Sequence, residues 1–300
     1  MTAVAIEAAP VAAPRRRLPS LGVLFGVAWL AALIFLALFA RWLPFVRGET
    51  QRTRYASAYK VSPGADFWFG SDKVGYDVFA RCIYGARLSL VIATASIIVG
   101  VLVGGLLGIV AGYFRGGIDR VVSVVIDSLL AFPAIVIATL LIGRFDALQA
   151  TSGFGWLTRA WSVTIVFSVL SIAPVARIVR AQTLSIAQRE YVLAARSLGA
   201  RTPRILVREV IPNLIPAMVA VIFTGIAILL AAEGGLAFIG YSVKVPTASW
   251  GLMINASRGD IDDGWWATVF PALMLFLTVL AFNLIGDRLA RRFDIREAAL

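Results

Sequence analysis

RIVRAQTLSIAQREYVLAARSLGARTPRILVREVIPNLIP, from Arg177 to Pro216, is the most charged stretch of an otherwise apolar chain. Ser185 followed three residues later by Gln188 has the form of a capping box, and Gly199 falls where a helix would close on a left-handed residue. Together they predict a short helix over about 186–198. Thr202 is a good N-cap and Pro203 suits the first helical position, where no N–H is needed, so a second helix begins at once. On the first helix Tyr191, Ala195 and Leu198 recur at i, i+4 and i+7, a small apolar stripe with Arg189 and Arg196 off it. The stretch therefore reads as helix, glycine turn, helix, with one shallow face that another protein can grip.

The composition around it places this loop between membrane spans. Hydrophobic residues make up 60% of the 300, against about 45–50% in soluble domains, so this is an integral membrane protein. A net charge of +11 raises the question of nucleic acid. The aromatics, however, sit inside apolar runs rather than between basic residues, and no DNA- or RNA-binding signature occurs. The charge fits orientation in a bilayer and contact with anionic lipid instead. A lone cysteine, Cys82, excludes an intrachain disulfide, and the absence of histidine removes the usual metal ligand and general base. Neither catalysis by this chain nor a cofactor is expected.

Six spans can be read along the chain, giving an all-α membrane protein. Residues 1–17 read as a disordered cytoplasmic N-terminal tail, Ala/Pro-rich and ending in Arg15-Arg16-Arg17. The apolar run Leu18–Ala40 is longer than a signal-peptide core of about 7–15 residues and lacks a small-residue cleavage site, so it is a first transmembrane helix. Residues 18–87 hold this helix and an outer loop. Within that loop Val78, Phe79, Cys82, Ile83 and Ala86 line one face and Asp77 and Arg81 are spaced to pair, which predicts a short interfacial helix over 77–87. The core, 88–290, carries five further spans, and 291–300 is a basic cytoplasmic tail.

The second span, about 88–112, repeats Gly100, Gly104, Gly108 and Gly112, a row that lets another helix approach closely in lipid. YFRGGID (113–119) is a cytoplasmic turn. The third span, about 118–143, holds Asp127 and then Pro133, and an acid at that depth is either a group on the translocation path or a hydrogen-bonded packing element. A loop with Gly153, Gly155 and Trp156 leads to a fourth span, about 161–181, containing Pro174. The fifth, about 215–235, carries Glu233, the second intramembrane acid and path candidate, and the sixth covers about 266–286. In the outer loop 240–264, Asp260, Asp262 and Asp263 lack the order of an EF-hand, which disfavours calcium. The short outer loops carry few basic residues, Arg144, Arg159, Lys244 and Arg258, so both termini are expected inside.

LAARSLGA (193–200) and a segment closing on Ile211-Pro212 resemble the cytoplasmic "EAA" loop of ABC-importer permeases, with Leu193 in place of its Glu and Glu209 in place of a residue that is often apolar or basic. The strings ARIVRAQTL, REYVLAARSLGA and RILVREVIPN resemble the dipeptide/oligopeptide branch, in particular its C-type permease. FGSDKVGYD is similar to that branch's Gly-Thr-Asp, Gly-Arg-Asp phrase, with Ser71 for Thr and Tyr76 for Arg. YSVKVPTASWG is similar to its Pro-Pro, Ser-Trp-Gly phrase, with Lys244-Val245 replacing part of the Pro-rich element, and FPALMLFLTVLAFNLIGDRLARRFDIR matches its C-terminus.

The resemblance implies a permease half of an ABC importer. It implies a second homologous permease, two ATP-binding subunits, an extracytoplasmic substrate-binding protein and a peptide cargo. The ATPase-docking residues carried over are Arg189, Glu190, Tyr191, Ala194, Ala195, Arg196, Ser197, Leu198 and Gly199. No G-x-x-x-x-G-K-[ST] phosphate loop occurs in the chain, in keeping with ATP hydrolysis by partners. Within the class, a nickel chelate, glutathione or a cationic peptide are alternative cargoes. Spans rich in Ala, Val, Leu and Gly, without a His or Cys cluster, favour a wide uncharged passage over one that binds bare metal. A stand-alone secondary transporter is disfavoured by having only two intramembrane acids, and a serine–histidine hydrolase by the lack of histidine.

Overall fold

The computed structural model describes residues 21–49, 59–152 and 158–297. The expected disordered tail over 1–17, the loop at Gly153, Gly155 and Trp156, and the last residues of the 291–300 tail lie outside the described residues. Helices dominate. They are α1 (Leu21–Phe39), α2 (Val78–Phe114), α3 (Gly116–Ala131), α4 (Ala134–Ser152), α5 (Arg159–Ile186), α6 (Glu190–Ser197), α7 (Thr202–Ile205), α8 (Ile211–Phe238), α9 (Trp250–Ser257), α10 (Ile261–Gly264) and α11 (Trp266–Glu297). Among the described residues the sole β pairing is the isolated bridge Ser71–Asp77. Six helical segments are long and apolar enough to cross a membrane: 21–39, 78–114, 134–151, 159–186, 202–238 and 266–291.

The most extensive helix pair is α2 with α5, and the glycine row explains it. A methyl group added at Gly104 would lie 2.5 Å from the Ile172 carbonyl, and one at Gly108 2.7 Å from that of Ala176, so here backbone meets backbone. The Ser96 hydroxyl donates to Thr164 O (3.0 Å) and that of Ser171 to Ser96 O (3.1 Å), tying the same two helices. In lipid, where apolar burial does not drive association, close packing and such hydrogen bonds do. Around this pair α8 packs on α2 and α11, and α1 on α11. Gly26 meets Ala281 O, and Trp29 Nε1 donates to Thr278 Oγ1 (3.1 Å). These contacts run α1 antiparallel to α11, and Gly286 against Thr224 with Gly234 against Leu275 does the same for α8 and α11. The start of α1 and the end of α11 therefore share one end of the bundle with α6.

Five sequence expectations change. Residues 77–87 are not a separate interfacial helix. They open α2, which runs 37 residues, or about 55 Å against a hydrocarbon core of about 30 Å, so the helix is longer than one crossing needs. Asp77 does not pair with Arg81, because its Oδ1 accepts from Ala80 N (3.1 Å) to cap α2 while Oδ2 faces Arg47 Nε at 3.7 Å. The expected single span over 118–143 is two helices. Proline disfavours α geometry at the residue before it, and Phe132 is extended at ψ 141°, so the chain breaks at Pro133 rather than kinking.

The capping box is also not used. The α5 hydrogen-bond ladder continues through Ile186, which places Ser185 inside its last turn, and α6 starts only at Glu190 with Arg189 as N-cap. Likewise Arg201, not Thr202, is the N-cap of α7, and Thr202 and Pro203 are its first two helical residues.

Candidate functional site

The loop between α5 and α8 is the first candidate site. Two consecutive tight turns, Gln188 N to Ser185 O (3.2 Å) and Arg189 N to Ile186 O (3.0 Å), swing the chain out of α5 into α6. At the far end of α6, Ala200 N donates to Ala195 O (3.1 Å) and Gly199 N to Arg196 O (3.0 Å), the paired bonds of a Schellman cap. That geometry needs a left-handed residue, and Gly199 supplies it at φ +79°.

Val192 anchors α6. It is fully buried and shares a core cluster with Ile186, Ile205, Val210 and Leu214 at the end of the bundle. The sequence stripe had passed it over, although Val192 is spaced i+3 and i+4 between Arg189 and Arg196. With Val192 pointing in, the residues expected to dock point out: Arg189, Glu190, Tyr191, Ala194, Arg196, Ser197, Leu198 and Gly199 are exposed and Ala195 is half-buried. Leu198 is 88% exposed, an apolar side chain left open among the described residues. Arg196 lies over the Tyr113 ring (5.5 Å), linking α6 to the end of α2. Directly after α7, Leu206–Val210 forms one π-helical turn leading into α8, a local irregularity of the kind found at functional segments.

The two acids expected inside the membrane do not come together, and of the two Glu233 alone lies on a helix long and apolar enough to span, since α3, which carries Asp127, is not such a segment. Asp127 sits on α3 with an exposed side chain, paired with Arg177 of α5, and Asp119 pairs with Arg180 one turn nearer the α6 end. Ser123, Ile126, Asp127, Arg177 and Arg180 line a small polar cleft between the two helices. Glu233 lies near the opposite end and is fully buried. Three hydroxyls donate to its carboxylate: Ser242 (2.6 Å) and Ser249 (2.9 Å) to Oε1, and Ser89 (3.3 Å) to Oε2. Ser249 also accepts from Leu252 N (3.2 Å), which caps α9. One carboxylate thus joins α2, α8 and the loop that leads into α9. The serines were invisible to sequence reasoning as partners, though Ser89 continues the small-residue face of α2 from Gly85 through Ser96 to Gly100.

The α9 end is closed by long-range ties. Trp250 Nε1 donates to Cys82 O (2.9 Å), Trp266 Nε1 to Ser71 O (2.9 Å), and Ala248 N to Glu49 Oε1 (2.7 Å). Two of the three aspartates weighed as a calcium site, Asp260 and Asp263, are engaged by lysines. Asp260 pairs with Lys60 (2.8 Å) and Lys73 (3.3 Å), and Asp263 with Lys60 (3.6 Å). The hydrogen bond from Lys60 holds the Asp260 carboxyl below the usual carboxylate range, and the same bond raises Lys60.

Comparison with known proteins gives a consistent picture. Residues 104–297 match the family described as binding-protein-dependent transport system inner membrane component. The chain is 35% identical over 269 residues to the dipeptide transport system permease protein DppC of Bacillus subtilis, covering 89% of this chain and 81% of the relative. It is 36% identical over 232 residues to the glutathione transport system permease protein GsiD of Pectobacterium atrosepticum, covering 77% and 73%. Among solved structures, the fold is similar to that of the MetNI methionine ABC transporter in an inward-facing conformation, with a TM-score of 0.58 at 19% identity, over 72% of this chain and 97% of that one. An amino acid ABC transporter crystallised with histidines gives a TM-score of 0.55 at 20% identity, over 71% and 94%.

Proposed function

This chain belongs to the family of binding-protein-dependent transport system inner membrane components, and from that premise we propose that it forms half of the transmembrane pathway for ATP-driven uptake of di- and oligopeptides. It is an ABC-importer permease and a multi-pass inner-membrane protein. The other half of the pathway is a second, homologous permease. ATP is hydrolysed by two partner subunits, and an extracytoplasmic binding protein delivers the cargo. The observation that carries the reading is α6: an eight-residue helix fixed from beneath by Val192 and from behind by the Gly199 cap, presenting Tyr191, Leu193 and Leu198 outward.

Arg189, Glu190, Tyr191, Ala194, Ala195, Arg196, Ser197, Leu198 and Gly199 form the ATPase dock in this proposal. The α6 end is then cytoplasmic, and the antiparallel packing of α1 and α8 on α11 brings both ends of the bundle's chain to that side. Asp127, in its cleft with Arg177, is the candidate polar group on the passage. Glu233 is retained as a path candidate only through its hold on the outer loop, since its carboxylate is sealed by serines.

Peptide cargo is supported by the likeness to a dipeptide permease. The likeness to glutathione permeases at similar identity supports a second reading within the same chemistry, since glutathione is itself a tripeptide. Copurification on a tagged chain tests the assembly, with two ATPase subunits and a second permease expected. A binding assay on the cognate extracytoplasmic protein, offered a peptide mixture beside glutathione and nickel chelates, tests the cargo. Tight retention of a non-peptide with no peptide bound overturns the cargo and leaves the permease standing.

A further inference from the structure

Arg81 lies in the first turn of α2, is only 4% exposed, and has neither Nε nor Nη1 hydrogen-bonded. The acid one turn earlier is spent, since Asp77 caps α2 and faces Arg47. The Tyr76 ring, 4.7 Å from the guanidinium carbon, compensates part of the charge. A buried guanidinium without an acceptor is costly enough that proteins keep such groups paired or put them to use.

Arg81 lines a cavity of about 50 Å³ on the α9 end, walled by Tyr76, Val245, Met253, Ala256 and Ala267. At about 10–15 Å³ per water, the space suits a carboxylate with a methylene or two, not a whole peptide. Two further charged residues share the lining, and both are engaged: Asp72 Oδ1 accepts from Val74 N (2.8 Å) and Tyr76 N (2.9 Å), and Lys73 pairs with Asp260. The nearby helix starts are closed, α2 by Asp77 and α9 by Ser249. With Lys73 held by Asp260, Arg81 is the one lining cation left without an acid partner among the described residues, and with the Asp72 carboxylate beside it this favours a monoanion over a phosphate dianion. Lys244 and Arg258, next in sequence to lining residues, are exposed.

We propose that this cavity is a binding site for one carboxylate group, received by the Arg81 guanidinium from the outer side. The chemistry stands on the cavity; the source of the carboxylate rests on the importer reading. Two sources present the same group: an Asp or Glu side chain of the docking extracytoplasmic protein, or the C-terminus of a peptide cargo.

The test melts the assembled transporter in lipid nanodiscs, in sodium acetate against sodium chloride at equal concentration. Acetate is expected to raise the wild-type melting temperature by a few degrees beyond chloride, and Arg81→Met to abolish that shift. In chloride Arg81→Met should melt no lower than wild type, because it replaces an unpaired buried charge with an apolar chain. Ala256→Asp brings a carboxylate from the chain itself, and should raise the melting temperature and remove the acetate response even where Arg81→Met does not assemble. Docking of the extracytoplasmic protein, weakened about tenfold by Arg81→Met, identifies a side-chain source. Unchanged docking with a raised KM for peptide uptake identifies the cargo terminus. No acetate-specific shift in wild type, an equal shift in Arg81→Met, or unchanged docking together with unchanged uptake overturns the site. Failure of the importer reading shows separately, as a wild-type complex without uptake whose acetate response remains readable.

Discussion

Gly104→Ala isolates what holds α2 against α5. The new Cβ would lie 2.5 Å from the Ile172 carbonyl and 3.1 Å from Ala176 N, where ordinary contact begins at 3.4 Å. Both neighbours are backbone, so no side chain can swing away and the helices must part by close to 1 Å, a gap that forfeits about a quarter to a half of each dispersion contact it opens. The separation spreads along the row, because Gly100, Gly108 and Gly112 approach α5 just as tightly. Overpacking of this kind costs about 1–3 kcal/mol, while the better helix propensity of alanine returns at most about 1 kcal/mol.

The net expectation is a loss of about 0–2 kcal/mol from those two terms against wild type, and of about 1–3 kcal/mol against a variant that keeps only the propensity gain. Gly143→Ala is the matched control, since nothing lies within 4 Å of a Cβ there and the backbone is helical, so only the propensity gain remains. Reversible denaturant titration of both variants in the same lipid mixture reads the difference. If Gly104→Ala proves as stable as Gly143→Ala, the glycine row is not a backbone contact and the reasoning fails.

Four further outcomes follow from particular contacts. Glu233→Leu leaves three buried hydroxyls without their acceptor, each worth about 1–3 kcal/mol at the limit, and should cut complex yield sharply; Glu233→Gln keeps an acceptor and should not, so equal yields would refute the serine cage. Gly199→Arg forces an L-residue to φ +79° at a cost of about 1–2 kcal/mol and puts a charge on the α6 face. It should insert in the membrane yet lose substrate-stimulated ATPase activity, and normal stimulation in the assembled complex counts against the dock. Asp127→Asn breaks an exposed pair worth about 0–1 kcal/mol, so yield should hold while uptake rate changes; a fall in yield with normal uptake makes Asp127 a packing element instead. The Lys60 clasp lowers the Asp260 pKa, so its contribution is complete above the ordinary carboxylate value of about 3.9 and is lost as pH falls through the lowered one. Thermal melts toward acid should show that loss in wild type and less of it in Lys60→Met.

What the sequence determined by itself is whatever short-range physics decides. Length and apolarity set six spans, because a bilayer demands about 20 apolar residues per crossing. Gly199 announced its left-handed cap, and the four-residue glycine spacing announced a close helix neighbour, though not that the neighbour is α5. Tertiary structure decided the rest wherever a local signal had a competitor. Ser185 and Gln188 spell a capping box, but the packed α5 helix runs through them. Asp77 stands at pairing distance from Arg81 in sequence, but the orphan N–H groups at the start of α2 claim its carboxylate first. That choice strands Arg81, and Tyr76, standing where the resembling family has an arginine, takes its place beside the guanidinium. Glu233 shows the limit most clearly: its acceptors' partners come from 9, 16 and 144 residues away, and no periodicity in one strand of text encodes a cage that forms only when α2, α8 and the loop before α9 meet.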